Sequence, residues 1–535
     1  MPWFERQDIQ RIIGWLTLTA IFIIPIWIVS IVPMQDIYEH LALVDIIHRY
    51  NAPATVYSRY FLLPHGLKPN LFYYYFMDLL CYPFGLMTAN RVFLSIYVVL
   101  FVSGFYSLVR AFGRSPYISL LAFPLVYNQM FAYGFASFFF GIPVLFFTIA
   151  AYETYLRHWD LGQFDLKQWL IVAFLVILSF FVHAHIYLLI GLVGLTMAIA
   201  HRRGWRQSLI ALTPFLPSLF VFLPWFITYF VLGRKSTSGM RFASVSKGFG
   251  ARYYPLQKVF AEAYRFIGDY FRDNWDEAIF GVYLTGFAGL LITRQHRGWD
   301  KRDGVLLSVV IVLGVSLLVL PQHIKAQSIV AARHFLFFLV FLLLLADFNP
   351  FRKLAVVSLN LVLIAALLVP VNTAVHFVRF NDWLGDYPAI FQYTKPKKRL
   401  IHIASQSSDP ITNIGALWYL HMFYMYEKGG VTDVQFAQYP HNPVQYRKGM
   451  KVPTPRVNTF YRDPAFLTFD YLLERKSAWI PLHNAADHVI ELASNKDWVL
   501  FRVLRGPPAR MDTKPVVFPP RKRDLPVRQV IRSLH

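Results

Sequence analysis

The stretch IIGWLTLTAIFIIPIWIVSIVPMQDIYEHLALVDIIHRYN, residues 12–51, joins a long apolar run to a group of ionisable residues. The run from Ile12 to Val32 has about 21 residues, the length that an α-helix needs to cross the hydrocarbon core of a membrane. It lacks a small-residue cleavage site, which favours a retained helix over a signal peptide. Asp36, Glu39 and His40 follow directly. The sequence therefore places acids and a histidine where its first membrane helix reaches the surface.

Composition assigns the whole chain to the membrane. Of its 535 residues, 56% are hydrophobic and only 15% are charged, which is typical of a polytopic membrane protein. The formal net charge of +22 would suggest nucleic acid for a soluble protein. In a membrane protein much of that charge orients the helices, and the remainder is available for anionic lipids or substrates, so we expect no nucleic-acid partner. Cys81 is the single cysteine, which excludes an intrachain disulfide.

Apolar segments of spanning length recur along the chain and predict a mainly α fold, a polytopic membrane bundle of about eleven transmembrane helices. A further segment, Asn70 to Gly85, is short, rich in tyrosine and carries Asp78 at its centre. It suits an interfacial helix better than a span. The predicted spans are 12–33, 92–110, 116–134, 136–155, 168–182, 186–201, 206–232, 276–293, 304–321, 331–348 and 354–373.

The distribution of lysine and arginine predicts the orientation. If residues 70–85 do not cross, most basic loops fall on the side of the N-terminus, and the positive-inside rule makes that side cytoplasmic. The loop at 233–275 is basic although it lies outside, so it is either long enough to escape the rule or faces an anion. The exoplasmic parts are then the first loop at 34–90, the turn around His183 and His185, the loop at 233–275 and the chain after residue 374.

The chain divides into three predicted parts. Residues 1–377 form a transmembrane domain, 378–504 form a small C-terminal exoplasmic α/β domain, and 505–535 form a flexible basic tail rich in proline. In the second part, KRLIHIAS, FDYLLER and WVLFRVL predict strands. ITNIGALWYLHMFYMYEKGG predicts a helix that is closed by Gly429 and Gly430.

Residues 37–50 predict an amphipathic helix on the membrane surface, because their apolar side chains recur at helical spacing. Two interpretations of the acids at its start are compatible. In the first, Asp36 is the N-cap and Glu39, three residues on, completes a capping box. In the second, the Asp36 carboxylate takes a proton from an acceptor hydroxyl. Spacing alone favours the cap.

The layout of the chain resembles the GT-C superfamily of polytopic glycosyltransferases. The resemblance lies in a first membrane helix followed by QDIYEH, two interfacial helices, LPHGLKPNLFYYYFMDLL, a basic loop after the seventh span, and AARHFLFF at the entry to a late span. The resemblance extends to about residue 375. Within the superfamily, the layout of the chain is similar to those of protein mannosyltransferases and aminoarabinose transferases. The α/β region is similar to extra domains that some members carry.

This resemblance implies a GT-C-like membrane enzyme of the bacterial cell envelope. The expected reaction transfers a hexosyl or pentosyl group, with inversion, from a polyprenyl-phosphate donor to a glycan, lipid or protein acceptor. Asp36 matches the catalytic acid of the first loop, which would act as general base, with Glu39 and His40 as neighbours. His65 in LLPHGLKPN matches a position where several members have a His-Pro pair, although Gly66 follows it here. FAYGFASF lacks the second acid that metal-dependent members place in that turn.

Other polar residues of this surface are candidates for substrate binding. His183 and His185 are either interfacial histidines or, together with His40, metal ligands. Without a clear carboxylate partner we expect no cofactor, and a divalent metal stays an alternative. Arg333 either anchors the tenth span or pairs with the donor phosphate through its planar fork. The remaining candidates are His334 and Lys325 beside Arg333, and Arg234, Lys235 and Arg241 of the basic loop.

Two rival functions stay open from sequence. A transporter or flippase for lipid-linked glycans also needs a polytopic fold and basic residues, although transporters tend to show paired repeats and helices broken at mid-membrane. A non-catalytic assembly subunit would not require the first-loop acid. The concentration of polar groups at one surface favours the glycosyltransferase.

Overall fold

The computed structural model describes residues 6–201, 204–232, 251–294, 300–324, 327–403, 408–452, 467–476, 488–495 and 497–504. Within these residues it contains seventeen α-helices and nine short strands.

The helices follow in chain order and are numbered α1 to α17. They are α1 Arg6–Trp27, α2 Ile37–His48, α3 Tyr57–Tyr60, α4 Phe72–Phe84, α5 Leu86–Ala111, α6 Gln129–Ala132, α7 Ala136–Asp160, α8 Leu166–Val182, α9 Ala184–Ala200, α10 Gly204–Ala211, α11 Leu219–Phe226, α12 Leu256–Gly268, α13 Trp275–Ile292, α14 Lys301–Val319, α15 Val330–Leu343, α16 Lys353–Leu384 and α17 Phe423–Lys428. The strands are β1 Phe61–Leu62, β2 Ala251–Arg252, β3 His323–Ile324, β4 Gln327–Ser328, β5 Leu400–Ile403, β6 Gln445–Tyr446, β7 Tyr471–Arg475, β8 Val489–Ser494 and β9 Trp498–Val503.

The apolar helices form the body of the molecule. Among the described residues, α5, α7, α13, α14 and the segment containing α16 are long and apolar enough to cross a membrane. The pair formed by α10 and residues 213–229 is bent by 46° and adds a sixth span if its halves cross together. Four shorter apolar helices belong to α1, α8, α9 and α15. These ten elements coincide with ten of the eleven predicted spans.

The eleventh predicted span, residues 116–134, is not a regular α-helix. Pro116–Leu125 forms a 3₁₀-helix, and only the four residues of α6 follow it as α-helix. Pro124 has no amide hydrogen, and its ring crowds the preceding turn, so it disfavours an α-helix through this position. The Asn128 side chain then accepts hydrogen bonds from the amides of Met130 (2.9 Å) and Phe131 (3.3 Å) and starts α6.

The helix α2 is buried and does not expose a polar face to solvent. Nine of its twelve residues, from Ile37 to Ile46, are buried. α4 packs on one side of it, and the C-terminal region, including α17, packs on another. Arg49, directly after α2, donates to the carbonyl oxygens of Met425 (3.2 Å) and Tyr426 (2.9 Å) and pairs with the buried Asp45 carboxylate. The helix predicted over 37–50 is confirmed, but protein covers it and leaves it without the exposed polar face of an amphipathic surface helix.

The C-terminal region contains a small mixed sheet with the strand order β5-β7-β9-β8. β5 and β7 are parallel, and the other two pairs are antiparallel. The helix predicted in this region is shorter than expected, since the α-helix starts only at Phe423, and it ends at Gly429 with φ +60°. The strand β6 pairs with β1 of the first loop, so this region is joined to the membrane body by a ladder as well as by the chain. α16 runs through residues 377 and 378, where the boundary between the two domains was predicted.

Candidate active site

Asp36 is held against the turn at residues 132–134. The amide of Gln35 donates to the carbonyl oxygen of Ala132 (3.1 Å), and the amide of Asp36 donates to that of Tyr133 (2.9 Å). Gly134 has φ +70°, and a Cβ at this position would lie only 2.6 Å from the amide nitrogen of Ile37. The absence of a side chain at Gly134 therefore permits the close backbone approach that places Asp36 in the interior.

The Asp36 carboxylate does not cap α2. Its backbone has φ −94° and ψ −9°, and its side chain makes no capping hydrogen bond. Instead, Oδ1 accepts a hydrogen bond from Nε2 of Gln35 (3.0 Å), whose Oε1 accepts from the amide of Gly415 (3.1 Å). The capping box that the spacing favoured is therefore wrong, and the side chain of this buried acid, 8% exposed, is not used to start the helix.

Arg333 provides a cation beside this acid. Arg333 lies on the first turn of α15. Its guanidinium is 4.8 Å from the ring centroids of both Phe135 and Phe138. Burial raises the pKa of Asp36 to about 7, while the Gln35 hydrogen bond and the Arg333 charge act in the opposite direction. A carboxyl group with such a pKa can exchange a proton near neutral pH.

Glu39 faces the C-terminal region. It is fully buried, and Oε1 accepts a hydrogen bond from the amide of Phe436 (2.6 Å). Burial raises its pKa well above the usual range, and the nearby Asp36 and Asp433 carboxylates act in the same direction. Glu39 connects α2 to the C-terminal region through this hydrogen bond.

His40 lies one turn further along α2. Its Nδ1 is 2.8 Å from the hydroxyl of Tyr74 on α4, and its ring packs edge-on against Phe436 with centroids 4.8 Å apart. Burial and the neighbouring His441 lower the pKa of His40 to about 3, so the imidazole is neutral. His441 and Phe436 are contributions of the C-terminal region that the sequence did not reveal.

The histidines of the α8–α9 turn form a chain with α15. His183 has an extended backbone, and its Nδ1 accepts from the amide of His185 (3.1 Å), which starts α9. His185 Nε2 lies 3.0 Å from His334 Nε2, and His334 Nδ1 lies 2.8 Å from the hydroxyl of Ser316. The extended backbone of His183 separates α8 from α9, and Arg333 and His40 are electrostatic neighbours of His183.

His65 does not join this cluster. Its side chain is exposed, whereas Lys68, three residues later, is buried. Lys68 Nζ donates to the carbonyl oxygen of Asn442 (3.4 Å), and its charge lies near His441. Lys68 is thus the cation that LLPHGLKPN brings towards the site. Its place in that motif could have identified it as a candidate from sequence. Arg234, Lys235, Arg241 and Lys325 lie outside the described residues.

The metal hypothesis gains no support from these positions. In the part of the chain that the structure describes, no three His, Cys, Asp or Glu side chains are arranged to hold a metal ion. His185 is instead paired with His334.

The apolar helical bundle, with a buried acid and an arginine at one end and a small α/β region over that end, has the overall architecture that the sequence predicted. Solved structures of GT-C glycosyltransferases share this fold with the chain. ArnT from Cupriavidus metallidurans bound to undecaprenyl phosphate is similar over 91% of this chain and 98% of ArnT, with a TM-score of 0.53 and 13% identity. The apo form of ArnT gives a TM-score of 0.52 at 12% identity, over 93% of this chain and 100% of that chain.

A second enzyme extends the comparison. The arabinofuranosyltransferase AftD from Mycobacteria is similar over 92% of this chain and 42% of AftD, with a TM-score of 0.51 and 13% identity. The sequence matches no protein-family model and no curated protein. At these identities the likeness shows the fold, and the predicted fold class is confirmed.

Gly134 offers a test of how Asp36 is positioned. Gly134→Ala should reduce thermal stability and displace Asp36, because the new Cβ meets the backbone of Ile37 at 2.6 Å in addition to the cost of a positive φ. Gly162→Ala is the matched control, since Gly162 has φ +74° and a Cβ added there would meet nothing within 4 Å. We expect the control to lose about 1 kcal/mol and the Gly134 variant clearly more. Equal melting temperatures of the two purified variants would contradict the close approach.

Proposed function

We propose that the protein is an integral membrane glycosyltransferase that transfers a sugar from a polyprenyl-phosphate donor to an acceptor hydroxyl with inversion. The observation that carries this proposal is the pair of Asp36 and Arg333, a buried base and a half-buried cation at one end of the bundle. Support comes from the fold, which is shared with an ArnT structure that contains undecaprenyl phosphate. The acceptor hydroxyl belongs to a glycan, a lipid or a protein.

The chemistry assigns each group of the pair one task. The acceptor oxygen attacks the anomeric carbon while Asp36 takes its proton. The bond between that carbon and the phosphate oxygen breaks, and the lipid phosphate leaves with the bonding electrons. Arg333 stabilises the negative charge that grows on the leaving oxygen, a task for which its fork of donors is suited. A single displacement inverts the configuration of the anomeric carbon.

The neighbouring residues position this pair. Glu39 and Gln35 join the Asp36 segment to the C-terminal region through Phe436 and Gly415. His40 is neutral and can contact a sugar hydroxyl through its free ring nitrogen. Lys68 supplies a second cation, itself buried, near His441 for the donor phosphate. His183, His185 and His334 carry donors and acceptors on the side of Arg333 and are proposed as substrate contacts.

The decisive experiment is an in vitro transfer assay with a panel of polyprenyl-phosphate sugars, comparing the wild type with Asp36→Asn. The amide cannot accept the proton, so turnover should fall about a hundredfold or more. For the wild type, kcat/KM should rise with pH through about 7, the pKa of Asp36, because the base must be deprotonated. The variant should lose this rise.

Asp78→Asn is the control for this assay. Asp78 pairs with His48 (2.8 Å) on the outer side of α2 and α4, so the variant should transfer sugar at a near wild-type rate. A folded Asp36→Asn protein with wild-type turnover would refute the assignment of Asp36 as the base. Transfer of no sugar by the wild type with any donor of the panel would refute the proposed reaction.

Two variants test whether Arg333 acts through the geometry of its guanidinium as well as through its charge. Arg333→Lys should already weaken activity, because a point charge does not replace a bidentate fork. Arg333→Ala should lower kcat/KM for the donor. The equivalent loss of transition-state stabilisation should be about 2–4 kcal/mol, the range for losing a charged hydrogen bond in a desolvated site. Arg91→Lys is the control, since Arg91 donates to the backbone carbonyls of Val29 (2.8 Å) and Ser30 (3.2 Å). Unchanged donor kinetics in the Ala variant would assign Arg333 to a structural role.

We also propose that the N-terminus is cytoplasmic and the C-terminal region exoplasmic. Ser494 is exposed on β8, and Gln207 is exposed on α10 at the opposite end of the bundle. A cysteine at Ser494 should react with a membrane-impermeant maleimide added to intact cells, whereas one at Gln207 should react only after lysis. The native Cys81 is buried and should not react with the maleimide. The reverse labelling pattern would invert the topology.

A further inference from the structure

A groove opens between α5, α7 and α8 at the ends of these helices farthest from Asp36. It encloses about 480 Å³. Its walls are largely apolar and include Phe147, Ile171 and Leu175. Arg110 and Arg157 line it in the last turns of α5 and α7. The groove thus combines an apolar slot with two cations at one end.

The two arginines differ in their surroundings. Arg110 is exposed, so it could simply extend towards water, as arginines at membrane boundaries commonly do. Arg157 is half-buried, and its Nε is buried without a hydrogen-bond partner. Among the described residues, no acidic side chain forms an ion pair with either guanidinium. A buried donor without a partner is destabilising, and an anionic ligand would satisfy it.

The position along α7 places this groove at a membrane boundary. Ala136, at the start of α7, lies beside the turn that holds Asp36, and Arg157 is about 30 Å further along the helix axis. This distance equals the thickness of the hydrocarbon core. The arginines therefore lie at the headgroup layer opposite the candidate active site. Tyr106 and Ile171 are 39% and 37% exposed, so the groove is open to the lipid side.

We propose that this groove binds one anionic phospholipid of the leaflet opposite Asp36. Arg110 and Arg157 would bind the phosphate, and an acyl chain would lie along the apolar wall formed by Phe147 and Leu175. Basic pockets between membrane helices recognise anionic headgroups in this way, and the guanidinium fork matches phosphate oxygens. The inference stands independently of the proposed sugar transfer.

Native mass spectrometry of the full-length protein in non-ionic detergent tests the proposal. Phosphatidylglycerol and phosphatidylcholine with the same acyl chains are titrated separately. We expect one phosphatidylglycerol molecule to be retained in preference to phosphatidylcholine. Arg110→Gln or Arg157→Gln should weaken its binding about fivefold each, and the double variant about thirtyfold. Ala151→Phe should reduce binding without a change of charge, because the larger side chain fills the groove.

Arg206→Gln is the matched control, because Arg206 lies on α10 against the Trp205 ring and outside the groove. Arg110→Lys with Arg157→Lys keeps both charges and should retain part of the binding even if the Gln variants fold poorly. Wild-type binding in the double Gln variant, or equal retention of the two lipids, would overturn the proposal. Displacement of phosphatidylglycerol by undecaprenyl phosphate, one for one, would also overturn it, because the groove would then belong to the donor.

Discussion

The burial of Asp36 beside Arg333 is the constraint on which this end of the molecule depends. An ionised carboxylate in a desolvated site is costly unless hydrogen bonds and an opposite charge compensate it. The compensation comes from three separate parts of the chain: Gln35 donates to the carboxylate, the turn before α7 holds its backbone, and α15 supplies the guanidinium. Each part must be in place for the others to be stable.

The same constraint explains the role of the C-terminal region. Gln35 reaches Asp36 with one end of its amide and the Gly415 amide with the other. Glu39 binds Phe436, and β1 pairs with β6. The α/β region therefore helps to cover α2, and burial is the main cause of the raised pKa of Asp36.

The features that sequence predicted well are those that depend on local physics. Apolar length predicts the membrane helices, and short apolar runs predict β7 and β9. The errors arise where distant segments compete with local ones. A capping box is plausible for Asp36 and Glu39 until the Phe436 amide, 397 residues away, takes the Glu39 carboxylate. His65 matched a motif position, but the backbone buries Lys68 instead. No periodicity could place His441 beside His40, because their proximity depends on the docking of the C-terminal region.

The helix α7 relates the two proposed sites to each other. Its first turns present Phe138 to Arg333, and its last turns present Arg157 to the groove. An α-helix is stiff along its axis, so a phospholipid phosphate bound at Arg157 would fix the depth of the opposite end in the bilayer. The proposed reaction would require such a fixed depth, because the charge of a polyprenyl phosphate holds it at the headgroup layer.

The distribution of polar groups within the membrane body favours the proposed transferase over a flippase. A flippase must offer polar surface along the path of a sugar phosphate, and ionisable groups within spans usually mark such a path. On α7, the buried residues from Phe138 to Leu145 are apolar apart from glycine. On α15, the buried residues after His334 are apolar as well. These two stretches therefore offer no buried ionisable side chain along such a path. A buried acid whose side chain caps no helix costs stability, and the proposed sugar transfer would give this acid a role as the proton acceptor.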